Sequence, residues 1–455
     1  MSKNLRSLKF FLKKVLILTC NCLLKMVSLK ERKVWGKFRK GDYMKVTGIV
    51  AEYNPFHNGH AYHMRKVKEI TGADYLVVVM SGNFTQRGVP ALIDKYTRTK
   101  MALESGADLV LELPLYYSAG SAEYFASGAV ALLDKLGVVD TLCFGSECGD
   151  IKILTEVAIL LSKEDEEFSN AIKSKMKLGL TYPRARMQAI EETLPNSFVH
   201  VDAMSYPNNI LGIEYIKAII QRNSNILPMT TLRMGAGYHD RMVTDVMSSA
   251  LSIRESIRSA DSLDMIQSSV PDYVYKMLKK DFHKTFPIFH EDISSLLKYK
   301  LLLDAPKGYT EYVDISDDFS DKIVKNLNKY ENYSQFCDLL KTKDITYARV
   351  SRCLLHILLN LRKDALQHYV DKDYIFYGRI LGLRKSATEL TSSIKKVSKI
   401  PMISKLADAR EFLTPIGMDM LECDIQASHI YDSLVAEKFG HKPVSEFSRE
   451  IVIVE

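Results

Sequence analysis

The sequence predicts an α/β fold in which a doubly wound parallel sheet is followed by a mainly helical C-terminal domain. Three observations support this prediction. Short apolar runs alternate with segments of helical spacing from Lys45 to about residue 146, as in a parallel sheet with crossover helices. The run at 75–80, YLVVVM, is apolar throughout, which is typical of a strand buried on both faces. After about residue 262, the apolar spacing becomes largely helical.

The elements of the sheet follow in the order β-α-β-α-β-α-β. Strands are predicted at 46–51, 75–80, 109–113 and 138–144, and helices at 59–70, 95–105 and 121–136, with Ser121 as an N-cap. A further strong helix is predicted at 350–361. Because open parallel sheets bind ligands outside the carboxyl ends of their strands, the loops to inspect are 52–59, 81–94, 114–121 and 145–150.

Length and composition describe a globular protein of more than one domain. The 455 residues are 47% hydrophobic and 26% charged, and this length is too great for one ordinary core. We therefore predict a first domain at 44–262 and a mainly helical domain at 263–455.

The formal net charge of +7 comes from the first 43 residues. These contain 12 Lys and Arg against Glu31 and Asp42, whereas the rest of the chain has 50 basic and 53 acidic residues. Overall charge is therefore no argument for a nucleic-acid partner, and any RNA contact must come from a local patch.

Residues 1–43 have two interpretations. Their apolar run, centred on 15–18, is interrupted by lysines and is too short to span a bilayer, and no signal-peptide cleavage pattern is evident. Met44 directly precedes the first strand, so we expect it to be the true start and 1–43 to be a mis-assigned extension. A basic membrane-surface segment is the alternative. No membrane partner is expected.

The seven cysteines form no recognisable framework. Cys143 and Cys148 are separated by four residues, without a second pair to complete a zinc site. Scattered thiols of this kind favour a reducing, cytoplasmic location.

The first binding loop contains the string His57-Asn58-Gly59-His60 between strand one and a helix. Gly59 lets a ligand approach the backbone closely, and the helix N-terminus carries partial positive charge. His57 and His60 are three residues apart, so both imidazoles can face one phosphate and stabilise charge that develops on it. The alternatives are a metal-binding pair and an ordinary polar helix start, since H-x-G-H alone has little specificity. The position after the first parallel strand favours a nucleotide site.

The string NPFHNGH at this position resembles the H-x-G-H nucleotidyltransferase superfamily, which includes class I aminoacyl-tRNA synthetases. Four longer strings are more specific: GIVAEYNPFHNGH at 48–60, MSGNFTQRGVPA at 80–91, PNNILGIEY at 207–215 and GAGYHD at 235–240. Together they look like the bacterial tRNA(Met) cytidine acetate ligase family. The resemblance begins at about Lys45, extends to the C-terminus and does not cover 1–43.

This resemblance implies a nucleotidyltransferase, Rossmann-like fold and a two-step reaction. ATP and acetate give acetyl-adenylate and pyrophosphate, and the acetyl group then passes to N4 of the wobble cytidine of elongator tRNA(Met). Mg²⁺ is expected with the nucleotide. The family's ATP site implies Gly145, Asn209, Arg233 and one continuous stretch of this chain: Val50, Ala51, Glu52, Tyr53, Asn54, Pro55, Phe56, His57, Asn58, Gly59, His60, Ala61, Tyr62 and His63.

A second superfamily signature is a Ser-rich loop before a helix that ends in a basic residue. The segment 248–254 fits it, although a Thr is expected where Leu251 stands. Ser249 and Ser252 could donate to phosphate and Arg254 could pair with it, whereas the alternative is an ordinary capped helix. We take His57, His60 and Arg254 as the predicted catalytic residues.

Other candidates are weaker. Arg87 follows the second strand and could anchor acetate or a phosphate, or could be a surface residue of a turn. Glu52, Lys95 and Arg98 are also candidates, the last two with a solvated helix face as the alternative. His239 with Asp240 resembles an acid/base pair but could order its loop instead.

Transfer to tRNA needs a surface that follows phosphates. The best local candidate is the stretch 379–405, in which Glu389 is the only acidic residue. Its basic residues are Arg379, Arg384, Lys385, Lys395, Lys396, Lys399 and Lys405. A solvated charged face is the alternative.

Three functions remain open from the residues themselves. The first is the tRNA acetate ligase. The second is a small-molecule adenylyltransferase acting on a phosphorylated cofactor precursor, and the helical C-terminal domain argues against it. The third is a non-catalytic RNA-binding protein, and the intact His57, Gly59, His60 and Arg254 argue against it. The oligomeric state cannot be predicted.

Overall fold

The computed structural model describes residues 44–162, 166–178, 182–193, 204–233 and 248–455. The predicted extension at 1–43 and the motif at 235–240, which includes His239 and Asp240, lie outside the described residues. Residues 45–455 form one compact unit.

The strands and helices are numbered here in chain order. The strands are β1 (Val46–Ala51), β2 (Tyr75–Ser81), β3 (Leu109–Leu113), β4 (Thr141–Ser146), β5 (Leu227–Leu232), β6 (Gly378–Arg384), β7 (Met402–Ile403) and β8 (Val452–Val454). The helices before residue 262 are α1 (Asn58–Thr71), α2 (Lys95–Glu104), α3 (Leu115–Ser118), α4 (Ala122–Lys135), α5 (Ile151–Ser162), α6 (Glu166–Lys177), α7 (Tyr182–Thr193), α8 (Pro207–Gln221) and α9 (Ala250–Arg258). The later helices are α10 (Asp272–Asp281), α11 (Ser294–Asp304), α12 (Asp317–Asn326), α13 (Tyr333–Leu340), α14 (Tyr347–Leu358), α15 (Lys363–Asp371), α16 (Thr388–Val397), α17 (Ala409–Phe412) and α18 (Pro415–Phe439).

The first five strands are parallel and lie in the order β3-β2-β1-β4-β5. β2 and β3 lie on one side of β1, and β4 and β5 lie on the other. The order in which strands are added to the sheet therefore reverses at β1. The carboxyl ends of β1 and β4 lie at this switch point, where open α/β sheets form a ligand crevice. The prediction of a doubly wound parallel sheet is confirmed.

The C-terminal part of the chain is mainly helical, as predicted, but it also completes the sheet. β6 pairs antiparallel with β3, and both β7 and β8 pair parallel with β6. The sheet thus crosses the predicted boundary near residue 262. That division of the chain stays a prediction. Among the described residues, no helix has the length and apolarity needed to cross a bilayer.

Side chains in the preceding loops fix where the helices begin. The Asp94 carboxylate accepts hydrogen bonds from the N–H groups of Tyr96 and Thr97 at the start of α2. The Ser121 hydroxyl accepts from Tyr124 N–H at the start of α4, as the sequence predicts. Each cap satisfies N–H groups that have no partner within the helix.

Two sequence expectations need correction. The fourth strand begins at Thr141 rather than Val138, because Gly137 takes a left-handed φ of 74° and the chain is still turning there. Lys95 and Arg98 do not form a solvated helix face, since both side chains are fully buried.

Candidate active site

The loop that follows β1 lies at the switch point of the sheet. Next to it are Gly145, near the end of β4, and Arg233, which directly follows β5 and donates its N–H to Ser146 O. The side chain of Arg233 passes close to Gly145, where a Cβ atom would lie 3.1 Å from Arg233 Cγ. The topology therefore brings together residues that are far apart in the sequence.

The imidazole rings of His57 and His60 stack on each other, with centroids 3.7 Å apart and planes 28° apart. His57 is the N-cap of α1, and its Nδ1 accepts a hydrogen bond from Gly59 N–H at 3.1 Å. His60 Nδ1 accepts from His57 N–H at 3.2 Å. A neutral imidazole that accepts at Nδ1 carries its proton on Nε2. Both rings therefore present an Nε2–H donor, the group that can bind a phosphate oxygen.

Burial keeps these imidazoles neutral. Desolvation, followed by the charges of Arg233 and Arg254, lowers the pKa of His57 to about 3. Desolvation and the neighbouring His57 also hold the pKa of His60 well below its usual range. Both rings thus donate hydrogen bonds without carrying charge at neutral pH, and the positive charge of the site comes from the arginines.

Gly59 is needed for this arrangement. A Cβ atom at this position would lie 2.8 Å from Cε1 of the His57 ring. Gly59 N–H and His60 N–H are already bonded to the His57 ring and to His57 O, respectively. These two backbone groups are therefore already bonded, and the Nε2–H groups of the two rings are the donors that remain.

The third histidine of α1, His63, is bonded to β5. Its Nδ1 lies 2.9 Å from Thr231 Oγ1. Burial and Arg233 lower its pKa to about 4, against a small opposing effect of a backbone hydrogen bond with Cys143. His63 thereby links the helix of the first loop to the strand that precedes Arg233.

Helix α9 brings Arg254 to the same loop. Arg254 Nη1 donates to Asn54 O at 2.6 Å, and the Asn54 side chain accepts from Leu92 N–H at 2.7 Å. Burial and the nearby Arg87 lower the pKa of Arg254 to about 10, so the guanidinium stays charged at neutral pH. Arg87 itself is exposed. These two arginines are suited to an anionic ligand.

The two predicted serines begin α9. Ser249 is the N-cap and accepts from Ser252 N–H at 3.2 Å, and Ser252 Oγ donates to Ser249 O at 2.9 Å. Ser252 is 1% exposed. Capping, the alternative named from the sequence, accounts for these contacts, and phosphate binding by either serine stays a prediction.

The Pro-Asn-Asn motif begins α8 and faces the other side of the crevice. Asn209 is 1% exposed, and its Oδ1 accepts from the N–H groups of Glu147 and Cys148 at 2.8 and 3.1 Å. Asn208 is half-buried, and its Oδ1 accepts from Arg233 Nη1 at 3.0 Å. Asn208 therefore contacts Arg233 directly, whereas Asn209 holds the loop after β4, and ATP binding by Asn209 stays a prediction.

Several of the predicted ATP residues form the wall of the site rather than its surface. Tyr53, Asn54, Pro55, Phe56 and His57 are buried, and Tyr53 packs its ring edge-on against His60 at 4.9 Å between centroids. The remaining residues of this stretch that retain partial exposure are Val50, Ala51, Glu52, Asn58, Gly59, His60, Ala61, Tyr62 and His63.

Buried Arg98 joins the first loop to the second. Its guanidinium donates to Glu52 O at 2.7 Å, Ser81 O at 3.0 Å and Ile93 O at 2.9 Å, and it also bonds Gly82 O. The carbonyls of Glu52, Ser81 and Gly82 lie where β1 and β2 end, and that of Ile93 lies just before α2. Arg98 therefore fixes the loop of His57 against the loop of Arg87 without contacting a ligand itself.

The predicted RNA patch lies on the side of the sheet where the strands begin, opposite to the loop of His57. Lys399 N–H donates to Lys135 O, and a Cβ atom at Gly137 would contact Val397 O at 3.0 Å. Both contacts are at the connection that enters β4, beyond the amino ends of the strands. Lys395, Lys396, Lys399 and Lys405 are exposed there.

Three residues of this stretch differ from the expectation. Arg379 is 3% exposed and forms ion pairs with Glu112 and Glu446 in the core. A buried side chain cannot follow a phosphate backbone, so Arg379 is removed from the predicted surface. Arg384 is partly buried and donates to the carbonyl oxygens of Leu103 and Glu455, and Lys385 pairs with the Glu455 carboxylate.

Sequence reasoning missed Asn208, Glu147 and the role of Arg98. The dipeptide Asn208-Asn209 offered two equivalent amides, and only the helix start decides which of them faces the crevice. Glu147 follows a predicted strand, as a ligand residue would, but its partners are more than 60 positions away. Arg98 could have been suspected only from its place on the inner face of α2.

Comparison with known proteins identifies relatives that match most of the chain. The family model for HIGH nucleotidyl transferases matches residues 44–446. A tRNA(Met) cytidine acetate ligase of Acetivibrio thermocellus is 38% identical over 415 residues, which cover 90% of this chain and 100% of that protein. The enzyme of the same name from Clostridium perfringens is 40% identical over 405 residues, 86% of this chain and 96% of the relative.

Solved structures are similar over the same length. The crystal structure of Thermotoga maritima TmcAL without ligand has a TM-score of 0.85 at 30% identity, covering 90% of this chain and 100% of the other. The structure of the same protein bound with alpha-thio ATP has a TM-score of 0.83, covering 90% and 99%.

Proposed function

The chain belongs to the tRNA(Met) cytidine acetate ligase family of HIGH nucleotidyl transferases, and from this premise we propose that it acetylates N4 of the wobble cytidine of elongator tRNA(Met) at the expense of ATP. In the first step, acetate and ATP give acetyl-adenylate and pyrophosphate. In the second, the cytidine amine takes the acetyl group and AMP leaves. The observation that carries this proposal is the stacked His57–His60 pair at the switch point, in which Nδ1 of each ring is occupied and Nε2–H is the remaining donor, with the charges of Arg233 and Arg254 nearby.

The first step asks the protein for positioning and charge stabilisation. An acetate oxygen attacks the α-phosphorus in line with the bond to pyrophosphate, and no protein group needs to form a covalent bond. The Nε2–H groups of His57 and His60 would donate to phosphate oxygens as negative charge develops on them. Arg233 and Arg254 would offset the charge of the triphosphate from opposite sides of the loop.

The proposed ATP site combines the loop after β1 with Gly145 and Arg233. Asn209 stays the proposed ligand asparagine, because both ends of the Asn208 amide are already bonded, to Glu147 and to Arg233. Ser249 and Ser252 are retained as proposed phosphate donors. Arg87, exposed beside Arg254, is proposed to bind the acetate carboxylate.

Mg²⁺ is proposed to accompany the nucleotide. Within the described part of the chain, no group of three or more His, Cys, Asp or Glu side chains is arranged to hold a metal ion. Phosphate oxygens and water are the usual ligands of Mg²⁺ bound with a nucleotide, so the ion would arrive on ATP rather than in a protein cage.

The proposed tRNA surface includes Lys395, Lys396 and Lys399. This patch lies beyond the amino ends of the strands, whereas the proposed ATP site lies at their carboxyl ends. It can therefore assist only a ligand long enough to reach from one end of the strands to the other. β1 alone spans about 20 Å at roughly 3.3 Å per residue. A folded RNA meets that requirement, whereas a small cofactor precursor does not. A cytoplasmic location is proposed as well, in keeping with the five described cysteines, which are all free.

The decisive experiment supplies labelled acetate, ATP and total tRNA, followed by nucleoside analysis. Labelled N4-acetylcytidine is the expected product, and pyrophosphate release should depend on acetate. The variants H57N and H60N should each lower pyrophosphate release by about 10²–10³-fold, because each loses an Nε2–H donor. Asn at position 57 can still cap α1, so the fold should persist.

The matched control is H429N, which removes an exposed histidine of α18. It should retain wild-type activity. Pyrophosphate release with a phosphorylated cofactor precursor instead of acetate would contradict the proposal. The absence of ATP turnover with any acid would leave only a non-catalytic role in RNA binding.

The tRNA patch is tested by charge reversal. The variant K395E/K396E/K399E should weaken tRNA binding and make it less dependent on salt. With fewer contacts to phosphate, binding releases fewer counterions from the RNA. Formation of acetyl-adenylate should remain at the wild-type rate. The control variant K276E/K279E/K280E makes the same charge change on exposed lysines of α10. An equal loss of binding in both variants would reject the patch.

A further inference from the structure

Glu147, in the loop after β4, holds the start of α8. Its Oε1 accepts hydrogen bonds from Asn208 N–H at 3.3 Å and Asn208 Nδ2 at 2.5 Å, and its Oε2 accepts from Asn209 N–H at 2.9 Å. The residue before α8, Tyr206, makes no side-chain cap. A carboxylate from a distant loop therefore satisfies the free N–H groups at this helix start and complements its positive end.

The contact is reciprocal. Asn209 Oδ1 accepts from the N–H groups of Glu147 and Cys148, so the loop and the helix start hold each other through five hydrogen bonds. Asn209 is 1% exposed within this contact. The Glu147 carboxylate consequently has a fixed position relative to Asn208.

This fixed position determines which way the Asn208 amide points. A carboxylate only accepts hydrogen bonds, so the NH₂ group of Asn208 must face Glu147. The amide oxygen is then directed to the opposite side, where it accepts from Arg233 Nη1 at 3.0 Å. Arg233 is also held at its backbone by Ser146 O and along its stem by Gly145. Burial lowers the pKa of the Arg233 guanidinium, and the nearby charge of Glu147 opposes that effect.

From these contacts we infer that Glu147 is a positioning residue for ATP, which acts through Asn208 to aim the Arg233 guanidinium at the nucleotide. This inference rests on the proposed binding of ATP beside Arg233. Glu147 itself touches neither the nucleotide nor acetate. Its effect should therefore appear mainly in the affinity for ATP, and only weakly in the rate of the chemical step.

The test removes the acceptor. In E147A, the NH₂ group of Asn208 loses its partner, so the amide is free to turn and its oxygen is no longer directed at Arg233. The KM for ATP in acetate-dependent pyrophosphate release should rise about tenfold, the factor that corresponds to about 1.4 kcal/mol, with kcat within about threefold of wild type. Binding of ATP alone, measured by calorimetry without acetate, should weaken by the same factor.

A second variant keeps the acceptor without the charge. In E147Q, the side-chain oxygen can accept from Asn208 N–H and from the Asn208 NH₂, as Oε1 does in the wild-type chain. The KM for ATP should therefore lie within about threefold of wild type. A role of the carboxylate charge alone would give no such recovery, and a role confined to the start of α8 would lower the melting temperature of E147A without raising its KM for ATP.

The control is D150N, in the same loop. The Asp150 carboxylate accepts from Lys152 N–H and Ile153 N–H at the start of α5 and has no contact with Asn208 among the described hydrogen bonds. Asn caps helices about as well as Asp, so D150N should keep the wild-type KM.

An unchanged KM in E147A, an equal rise in D150N, or a KM in E147Q as high as that in E147A would each overturn the inference. If the wild-type chain released no pyrophosphate with acetate, the proposed function would fail. Calorimetric binding of ATP to the same variants would still decide on Glu147.

Discussion

At the scale of single residues, the site depends on hydrogen bonds that fix how each polar group can act. The backbone N–H groups of Gly59 and His57 donate to Nδ1 of His57 and His60, respectively, which leaves Nε2–H as the remaining donor of each neutral ring. The positive charge resides on Arg233 and Arg254. Donation and charge are thus divided between two kinds of side chain, and neither imidazole needs to gain a proton for the site to bind an anion.

The neutral state of these histidines has a consequence for stability. The pKa of His63 is lowered to about 4, whereas an unfolded histidine titrates near 6.5. Between these values the unfolded chain binds a proton that the folded chain does not, so the free energy of unfolding must fall as the pH falls below about 6.5. The loss due to one such histidine is at most about 1.4 kcal/mol per pH unit.

Urea unfolding of wild type and H63N at pH 7 and pH 5 measures this effect. The wild-type chain should lose more stability over that interval than H63N, by about 1–2 kcal/mol. The exposed-histidine variant H429N should lose as much as wild type. An identical loss in wild type and H63N would mean that His63 is protonated in the folded chain.

Arg98 shows how one buried residue can organise two loops. Its guanidinium forms four hydrogen bonds, to carbonyl groups at the ends of β1 and β2 and before α2. A lysine has one nitrogen and cannot reach carbonyls that lie on different loops. R98K should therefore lower the free energy of unfolding by about 2–4 kcal/mol, since buried carbonyls without a partner cost about 1–3 kcal/mol each.

Thermal unfolding of R98K measures this change, and R65K is the control because Arg65 is exposed on α1. The rate of pyrophosphate release by folded R98K should also fall, since the loop of His57 loses its attachment to the loop of Arg87. A melting temperature equal to that of R65K would show that the carbonyls have other partners.

At the scale of elements, the loop between β2 and α2 is closely packed against α14. Gly88 has a left-handed φ of 78°, and a Cβ atom there would lie 2.4 Å from Arg352 N in the backbone of α14. Its carbonyl accepts from the hydroxyl groups of Tyr333 and Ser351. The loop that carries Arg87 is thus attached to the helical part of the chain through its backbone.

Gly88→Ala should destabilise the protein by several kcal/mol, because a backbone clash is added to the strain of a left-handed alanine. Gly106→Ala is a matched control, since Gly106 also has a left-handed φ, 112°, but its Cβ would have no neighbour within 4 Å. Strain alone costs about 1–3 kcal/mol. Equal melting temperatures for the two variants would show that α14 can move away from the loop without cost.

At the scale of the whole molecule, a buried charged cluster joins the C-terminal part of the chain to the first strands. Lys95 pairs with Glu112 at 3.0 Å and Glu446 at 3.3 Å, and Arg379 pairs with both of these carboxylates. All four side chains are at most 4% exposed. The cluster connects α2, β3, β6 and the segment before β8.

Removal of one partner should leave the opposite charge buried without compensation. E446A is expected to lower the free energy of unfolding by about 3–5 kcal/mol, whereas E450A, four residues later and exposed, should have little effect. Chemical denaturation of both variants measures the difference. If E446A were as stable as E450A, the C-terminal segment would not depend on this cluster.

Much of the site could be predicted from the sequence because its central part is local. His57, Gly59 and His60 lie within one loop, between a strand and a helix that apolar spacing reveals, and their family resemblance is confirmed. Asn208 and Asn209 could not be distinguished, because the answer depends on contacts with residues that are distant in the sequence. The position of the lysines at 395–399, beyond the amino ends of the strands, could not be predicted either. A run of charges does not indicate which end of the strands it lies near.

The sequence by itself determined the parallel strands, the crossover helices and the loop that holds the paired imidazoles, because periodic burial and turn residues act over a few positions. Only the tertiary structure decided which side chains of the later segments enter the crevice, that Arg379 is a core residue, and that β6, β7 and β8 complete the sheet. The physical reason is that the burial and pairing of charges depend on contacts between segments hundreds of residues apart. Such contacts produce no periodic pattern in the amino-acid sequence.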